Sequence, residues 1–369
     1  MKFLALFLIF AAPAFADSNR IVVPITQTAL PDGDIRYTIP VTVGNSPPIA
    51  ALLDTGSTGL RIFRNQLDPT NYTETHIPSV TAFSAGDKLT GTIATAPIGI
   101  GAATTGAPIP FELIDNAACM DFRPNCGAAT LPASAYGIGG DGIAGQGFQA
   151  IIGLSLSPAP DTANPLLHTG AKRWIILLPE PVPGTVGALI INPDDQDIAG
   201  ASTFPLTHTE GGAVDAIPGC LNNTNTSQQI CGPTILDTGS PGMIAYLPGG
   251  ISAPLWNPGD AATLSFATSY TTSLAMPFSV DRNPGTGLLE QPATGPGSAI
   301  LAGFLPFFYN AVLYDGTANT ISLQPRPDAP NPVSNPLPQT SQSATVEVIQ
   351  LNAPNPHAPA LPAVITPSQ

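Results

Sequence analysis

The run ALLDTGSTGLRIF, residues 51–63, decides how the chain reads. A hydrophobic stretch ends in an acid, passes through Thr-Gly-Ser and turns apolar again. A carboxylate placed in an apolar run must find partners or give up its charge, because burying it uncompensated is costly. The pattern returns as TILDTGSPGMIAYL, residues 234–247. In both copies two large aliphatic residues precede the acid, Thr-Gly-Ser follows, and another Gly comes after one variable residue. One Asp-Thr-Gly is adequately explained as a turn after a strand. Two copies in matching apolar frames point to two related lobes. An apolar-apolar-Gly step also follows each motif, read as Ile143-Ala144-Gly145 and Leu301-Ala302-Gly303.

Composition sets the frame. The 369 residues suffice for two ordinary domains or one large β domain. With 43 Pro and 36 Gly the chain is too interrupted for helices. Between these breakers it is rich in Val, Ile, Leu and Thr, so short strands joined by many turns fit, an all-β chain. Strands are expected at 21–25, 36–43 and 49–53, and a hairpin over 82–100 turning near Gly86-Asp87. Residues 136–157 read as a strand, a Gly-rich turn and a short helix. Two strands around a Pro-Gly turn are expected over 172–193, and a closing hairpin turns at Asp315-Gly316.

The formal net charge is −14, and Lys occurs only at 2, 88 and 172, which argues against a nucleic-acid partner. Residues 1–16 have the form of a secretory signal: Lys2, an apolar core over 3–10, and Ala14-Phe15-Ala16 for cleavage. That core is too short to span a bilayer, and no other run comes close, so no membrane span is expected. The expected destination is periplasmic or secreted. Residues 326–369 are Pro-rich and read as a mostly disordered tail, with 344–351 as one strand-like island. In an oxidising compartment the four cysteines pair most simply as Cys119–Cys126 and Cys220–Cys231, one of three connectivities. No histidine lies near either couple at ligand spacing, so neither a metal nor another cofactor is expected. The chain has no Gly-x-Ser-x-Gly elbow, His-Glu-x-x-His or phosphate loop.

The paired motifs resemble those of the pepsin-like aspartic proteases, and the resemblance covers most of residues 34–325. It is carried by Tyr37, Val43-Gly44, Pro47-Pro48 and Asp54-Thr55-Gly56-Ser57, then by Asp141-Gly142-Ile143-Ala144-Gly145, and by Leu301-Ala302-Gly303 through Asp315 and Ile321. It implies a bilobal double β-barrel with a cleft between an N-terminal lobe, 17–195, and a C-terminal lobe, 196–325. Asp54 and Asp237 would be the catalytic pair of a monomeric endopeptidase acting on an extended peptide or protein substrate, with an acidic optimum. Gly56 and Gly239 would let backbone N–H groups approach the carboxylates. Thr55 and Thr238 would bond across the interface, and Ser57 and Ser240 would bond the outer carboxylate oxygens. The hairpin that covers the cleft falls at Phe83, Ser84, Ala85 and Gly86, a stretch without tyrosine. The family's aromatic after the first motif is replaced by Arg61 or Ile62. The competing expectation is a non-catalytic or weakly active protein of that fold that binds extended peptides or glycans.

Overall fold

The computed structural model describes residues 19–327 except 31–32, 141, 180–185, 210–211, 250–254, 270–271, 283 and 294–296. The expected signal, the tail from 328 onward with its 344–351 segment, the Pro-Gly turn at Pro183-Gly184, and Asp141 all lie outside the described residues.

Strands form wherever a β-branched or aliphatic run lies between Gly, Pro, Asn or Asp turns. The first half of the chain lays down β1 (Ile21–Ala29), β2 (Ile35–Val43), β3 (Ile49–Asp54), β4 (Thr58–Phe63), β5 (Thr73–Ala82) and β6 (Asp87–Ala96). It continues with β7 (Ile98–Ile100), β8 (Ala103–Thr104), β9 (Ile109–Cys119) and β10 (Ala150–Leu154), then the one-turn helix α1 (Pro165–His168), β11 (Arg173–Leu177) and β12 (Gly187–Ile191). The second half supplies β13 (Ser202–Pro205), β14 (Thr207–Thr209), β15 (Gly212–Val214), β16 (Ile217–Asn223), β17 (Gln229–Ile235), β18 (Met243–Leu247), β19 (Ala261–Ser269) and β20 (Thr272–Ser279). It ends with β21 (Leu288–Pro292), β22 (Ala299–Leu301), the short helix α2 (Leu305–Tyr309), β23 (Asn310–Asp315) and β24 (Thr320–Pro325).

The all-β expectation holds. Among the described residues the strands form a 15-stranded sheet, a 7-stranded sheet and the two-stranded ribbon β14–β15. The larger sheet runs from β13 to β5 and the smaller from β20 to β21, so both are open paths and neither closes into a barrel. Irregular register in β5 and in the β6–β9 pairing bends the long hairpin away from a flat continuation.

Strand order repeats around the two motifs. In the first half β10 lies between β3, to which it is parallel, and β4, to which it is antiparallel. In the second half β22 lies in the same way between β17 and β18. Outside these triplets β2 pairs β3 and β9 pairs β4, while β16 pairs β17 and β21 pairs β18. The two halves meet at a seam where β11 pairs β23, with β12 and β1 beyond on one side and β24 and β13 on the other. At the seam Trp174 and Tyr314 are register partners with stacked rings 6.0 Å apart. One apolar core runs through both halves; Tyr37 of β2, for instance, meets Phe304 edge-on at 5.0 Å.

This register corrects one expectation. The counterpart of Leu301-Ala302-Gly303 is Ile151-Ile152-Gly153, because Ile151 faces Leu52 as Leu301 faces Ile235. Ile143-Ala144-Gly145 instead forms an exposed turn outside the strands. A short apolar run such as 150–154 does not distinguish strand from helix by periodicity. Both expected disulfides are present, Cys119–Cys126 and Cys220–Cys231. The second joins directly opposed residues of β16 and β17. No helix of the described residues is long and apolar enough to cross a membrane.

Candidate active site

Asp54 is the last residue of β3, and Asp237 lies two residues beyond β17. Each aspartate therefore enters a tight loop just past a strand. The loops are locked by reciprocal bonds between their threonines. Thr55 N–H donates to Thr238 Oγ1 at 3.1 Å and Thr238 N–H to Thr55 Oγ1 at 3.0 Å. Each hydroxyl then donates to a backbone carbonyl of the other loop, Thr55 to Leu236 at 2.6 Å and Thr238 to Leu53 at 2.8 Å. Both threonines are fully buried, so every one of these groups depends on its partner.

The lock brings the two carboxyls into hydrogen-bonding contact, although they start in different sheets. Gly56 N–H donates to Asp54 Oδ1 at 2.8 Å, and Gly239 N–H to Asp237 Oδ1 at 2.7 Å. Glycine is required for the approach. A Cβ at position 56 would stand 2.7 Å from Asp237 Cγ, and one at 239 would stand 2.9 Å from Asp54 Oδ1. Burial, reinforced by the Asp54 charge beside it, pushes the Asp237 carboxyl well above the usual carboxylate range. The pair holds one proton more readily than two charges.

The two halves of the site are not equivalent. Ser57 Oγ donates to Asp54 Oδ2 at 2.5 Å, as expected. Ser240 does not do the same for Asp237: its hydroxyl donates to Gly242 O at 3.0 Å, inside its own turn. The Ser-Pro-Gly step of the second loop replaces the Ser-Thr-Gly of the first, and it folds the hydroxyl back on the backbone. On the Asp54 side a buried network stands behind Ser57. Arg61 Nη1 donates to Ser57 Oγ at 3.4 Å, Arg61 Nε lies 3.3 Å from Glu112 Oε2, and Thr81 bridges the two.

Both aspartates line a cavity of about 520 Å³ that extends beneath the β5–β6 turn. Phe83, Ser84 and Ala85 line it too, while Gly86 closes the turn with a positive φ of 96°. Phe83 lies under the Arg61 guanidinium, 5.8 Å from ring centroid to Cζ. Ser84 bonds the hydroxyl of Tyr246, which comes from β18 in the other half of the chain. The Cys119–Cys126 loop braces the turn from outside, with Met120 N–H on Gly86 O at 2.8 Å and Arg123 Nη1 on Ala85 O at 3.4 Å. Arg36 and Arg123 also line the cavity. Sequence reasoning did not single out Tyr246, Arg36, Arg123 or Glu112. A charged residue within the apolar stretch 109–114 of β9 was the one available signal for Glu112.

Neither a family model nor a curated protein sequence matches this chain.

Proposed function

We propose that the chain is an exported, bilobal aspartic endopeptidase of the pepsin-like type. The observation that carries this reading is the hydrogen-bonded pair Asp54–Asp237, held by two interlocked Asp-Thr-Gly loops at the floor of a cavity. The repeated strand order around each loop supports two related lobes. The disulfides and the signal-like residues 1–16 support export.

A pair of buried carboxyls with one proton has a base and an acid within reach of the same atoms. The ionised member takes a proton from a water as it attacks the scissile carbonyl carbon. The protonated member donates to the carbonyl oxygen, and the tetrahedral intermediate collapses with proton transfer to the leaving amine. No covalent enzyme intermediate forms. The cavity accepts a peptide in extended form, with the β5–β6 turn over it. As pH rises, loss of the proton shared by the pair removes the acid. At low pH a second proton removes the base, so the rate follows a bell on the acid side.

The test is cleavage of an unstructured protein between pH 2 and 7 by the mature chain, alongside Asp54→Asn and Asp237→Asn. Acid-dependent cutting is expected, lowered by each substitution on the order of 10³-fold or more. A statine-type inhibitor, which mimics the tetrahedral intermediate, is expected to abolish it. A folded wild-type chain that cuts at no pH but retains a labelled peptide would sink this reading in favour of a binding protein.

A further inference from the structure

A buried ion pair stands beside the aspartates and takes no part in the chemistry above. Arg61 of β4 and Glu112 of β9 are register partners on parallel strands, each 1 % exposed. Thr81 of β5 accepts from Arg61 Nε at 3.0 Å and donates to Glu112 Oε2 at 2.6 Å. On its other side Arg61 Nη1 donates to Ser57 Oγ, and Ser57 donates to Asp54 Oδ2. One hydroxyl therefore separates a buried cation from one of the two carboxyls.

As a means of joining two strands this pair is a poor choice. Desolvating two charges costs about as much as their attraction returns, and apolar residues of similar size commonly do better. The second half of the chain makes that apolar choice. Arg61 faces Ile151 on one side and Glu112 on the other; the residue that faces Leu301, the counterpart of Ile151, is Ile244, and its other partner is Leu289. Ile244 and Leu289 thus occupy the places of Arg61 and Glu112 beside Asp237. Ser240 is turned away from Asp237 as well.

The asymmetry has a chemical consequence. A serine hydroxyl has a single proton. With Arg61 donating to its oxygen, Ser57 sends that proton to Asp54, and a donor on a carboxylate favours the ionised form. The guanidinium charge acts in the same direction. The other titratable groups facing Asp54 are Asp237, the buried Tyr314, and Arg36, Asp87 and Arg123 along the cavity. Asp161 faces Glu112.

We propose that Arg61, held by Glu112 and Thr81, is a positioning residue that makes Asp54 the ionised member of the pair and leaves the shared proton on Asp237. The inference rests on reading the two aspartates as an acid–base pair, and it assigns the base to Asp54.

The test follows each aspartate directly. The full mature chain, ¹³C-labelled at Asp Cγ, is titrated by NMR, with the two signals assigned through Asp54→Asn and Asp237→Asn. The variant Arg61→Ile/Glu112→Leu installs the residues of the second half. It is expected to move the Asp54 midpoint up by about one pH unit, a ten-fold gain in proton affinity. The acid limb of the cleavage profile is expected to move with it. Arg61→Gln/Glu112→Gln removes both charges at nearly constant volume and is expected to do the same, so the result does not hang on one variant folding. Arg61→Lys keeps the charge and is expected to stay near wild type. An Asp54 midpoint within a few tenths of a unit of wild type in the folded neutral variants overturns the proposal, as does an equal displacement by Arg61→Lys. If the wild-type chain cuts nothing, the peptidase reading fails while the titration still decides the role of Arg61.

Discussion

At the scale of single residues, the site depends on what is missing as much as on what is present. Gly56 and Gly239 each leave room for the carboxyl of the opposite loop. A methyl group at either place meets a side chain that is itself hydrogen-bonded and has nowhere to go. Gly56→Ala is therefore expected to cost about 1–3 kcal/mol, the usual range for overpacking a tight site, and to lower cleavage sharply. Gly106 is the control, since a Cβ there meets nothing within 4 Å. Gly106→Ala is expected to stay within about 0.5 kcal/mol of wild type. Urea unfolding of the three proteins, read together with cleavage rate, checks both statements.

At the scale of elements, the loops after β3 and β17 form one unit built from two distant pieces of chain. Thr55→Val leaves the buried Thr238 N–H without its partner and the Leu236 carbonyl with only the 3.5 Å bond from the Tyr314 hydroxyl. Thr238→Val takes the Thr238 hydroxyl from Thr55 N–H and from the Leu53 carbonyl. Each is expected to cost about 1–3 kcal/mol per stranded group. The two threonines act as a pair, so the double variant is expected to cost less than the sum of the singles. Additive losses in a double-mutant cycle by urea unfolding would mean that the loops are held independently. The β5–β6 hairpin is a second composite element: its turn bonds the Cys119–Cys126 loop on one side and Tyr246 of β18 on the other.

At the scale of the whole molecule, buried carboxyls tie stability to pH. Asp215 is 2 % exposed and joins the two halves of the chain through Leu156 N–H at 2.9 Å and Ser157 Oγ at 2.8 Å. Burial, only partly offset by the bonds from Leu156 N–H and the Ser155 hydroxyl, pushes its carboxyl up to about 7 from the 3.8 of a free aspartate. Between those values the folded chain keeps a proton that the unfolded chain releases. Stability from this residue is therefore complete below about 3.8 and declines as pH rises toward 7. Asp237 contributes in the same direction. Asp215→Asn cannot ionise, so it is expected to melt higher than wild type at pH 8, by a few kcal/mol in stability, and to match it at pH 3. A difference that does not change with pH in thermal melts would show that Asp215 titrates alike in the folded and unfolded chains, and would overturn its raised value. An optimum on the acid side for both folding and cleavage is the joint expectation.

The amino-acid sequence by itself determined the all-β character, the two loops and a hairpin over residues 82–100, and it favoured the short-range disulfides. Each of these is local: breaker spacing, alternation and nearby cysteines carry them within a few residues. It also marked Asp54 and Asp237 as a pair, through the repeat. Only the tertiary structure decided which strand enters each triplet, and it replaced Ile143-Ala144-Gly145 by Ile151-Ile152-Gly153. It turned Ser240 onto its own backbone, brought Tyr246 to the hairpin, and set Arg61 against Glu112. Those facts depend on strand order and register between residues far apart in the chain. Hydrophobic pattern fixes which face of a strand is buried, but it leaves open which distant strand will lie beside it.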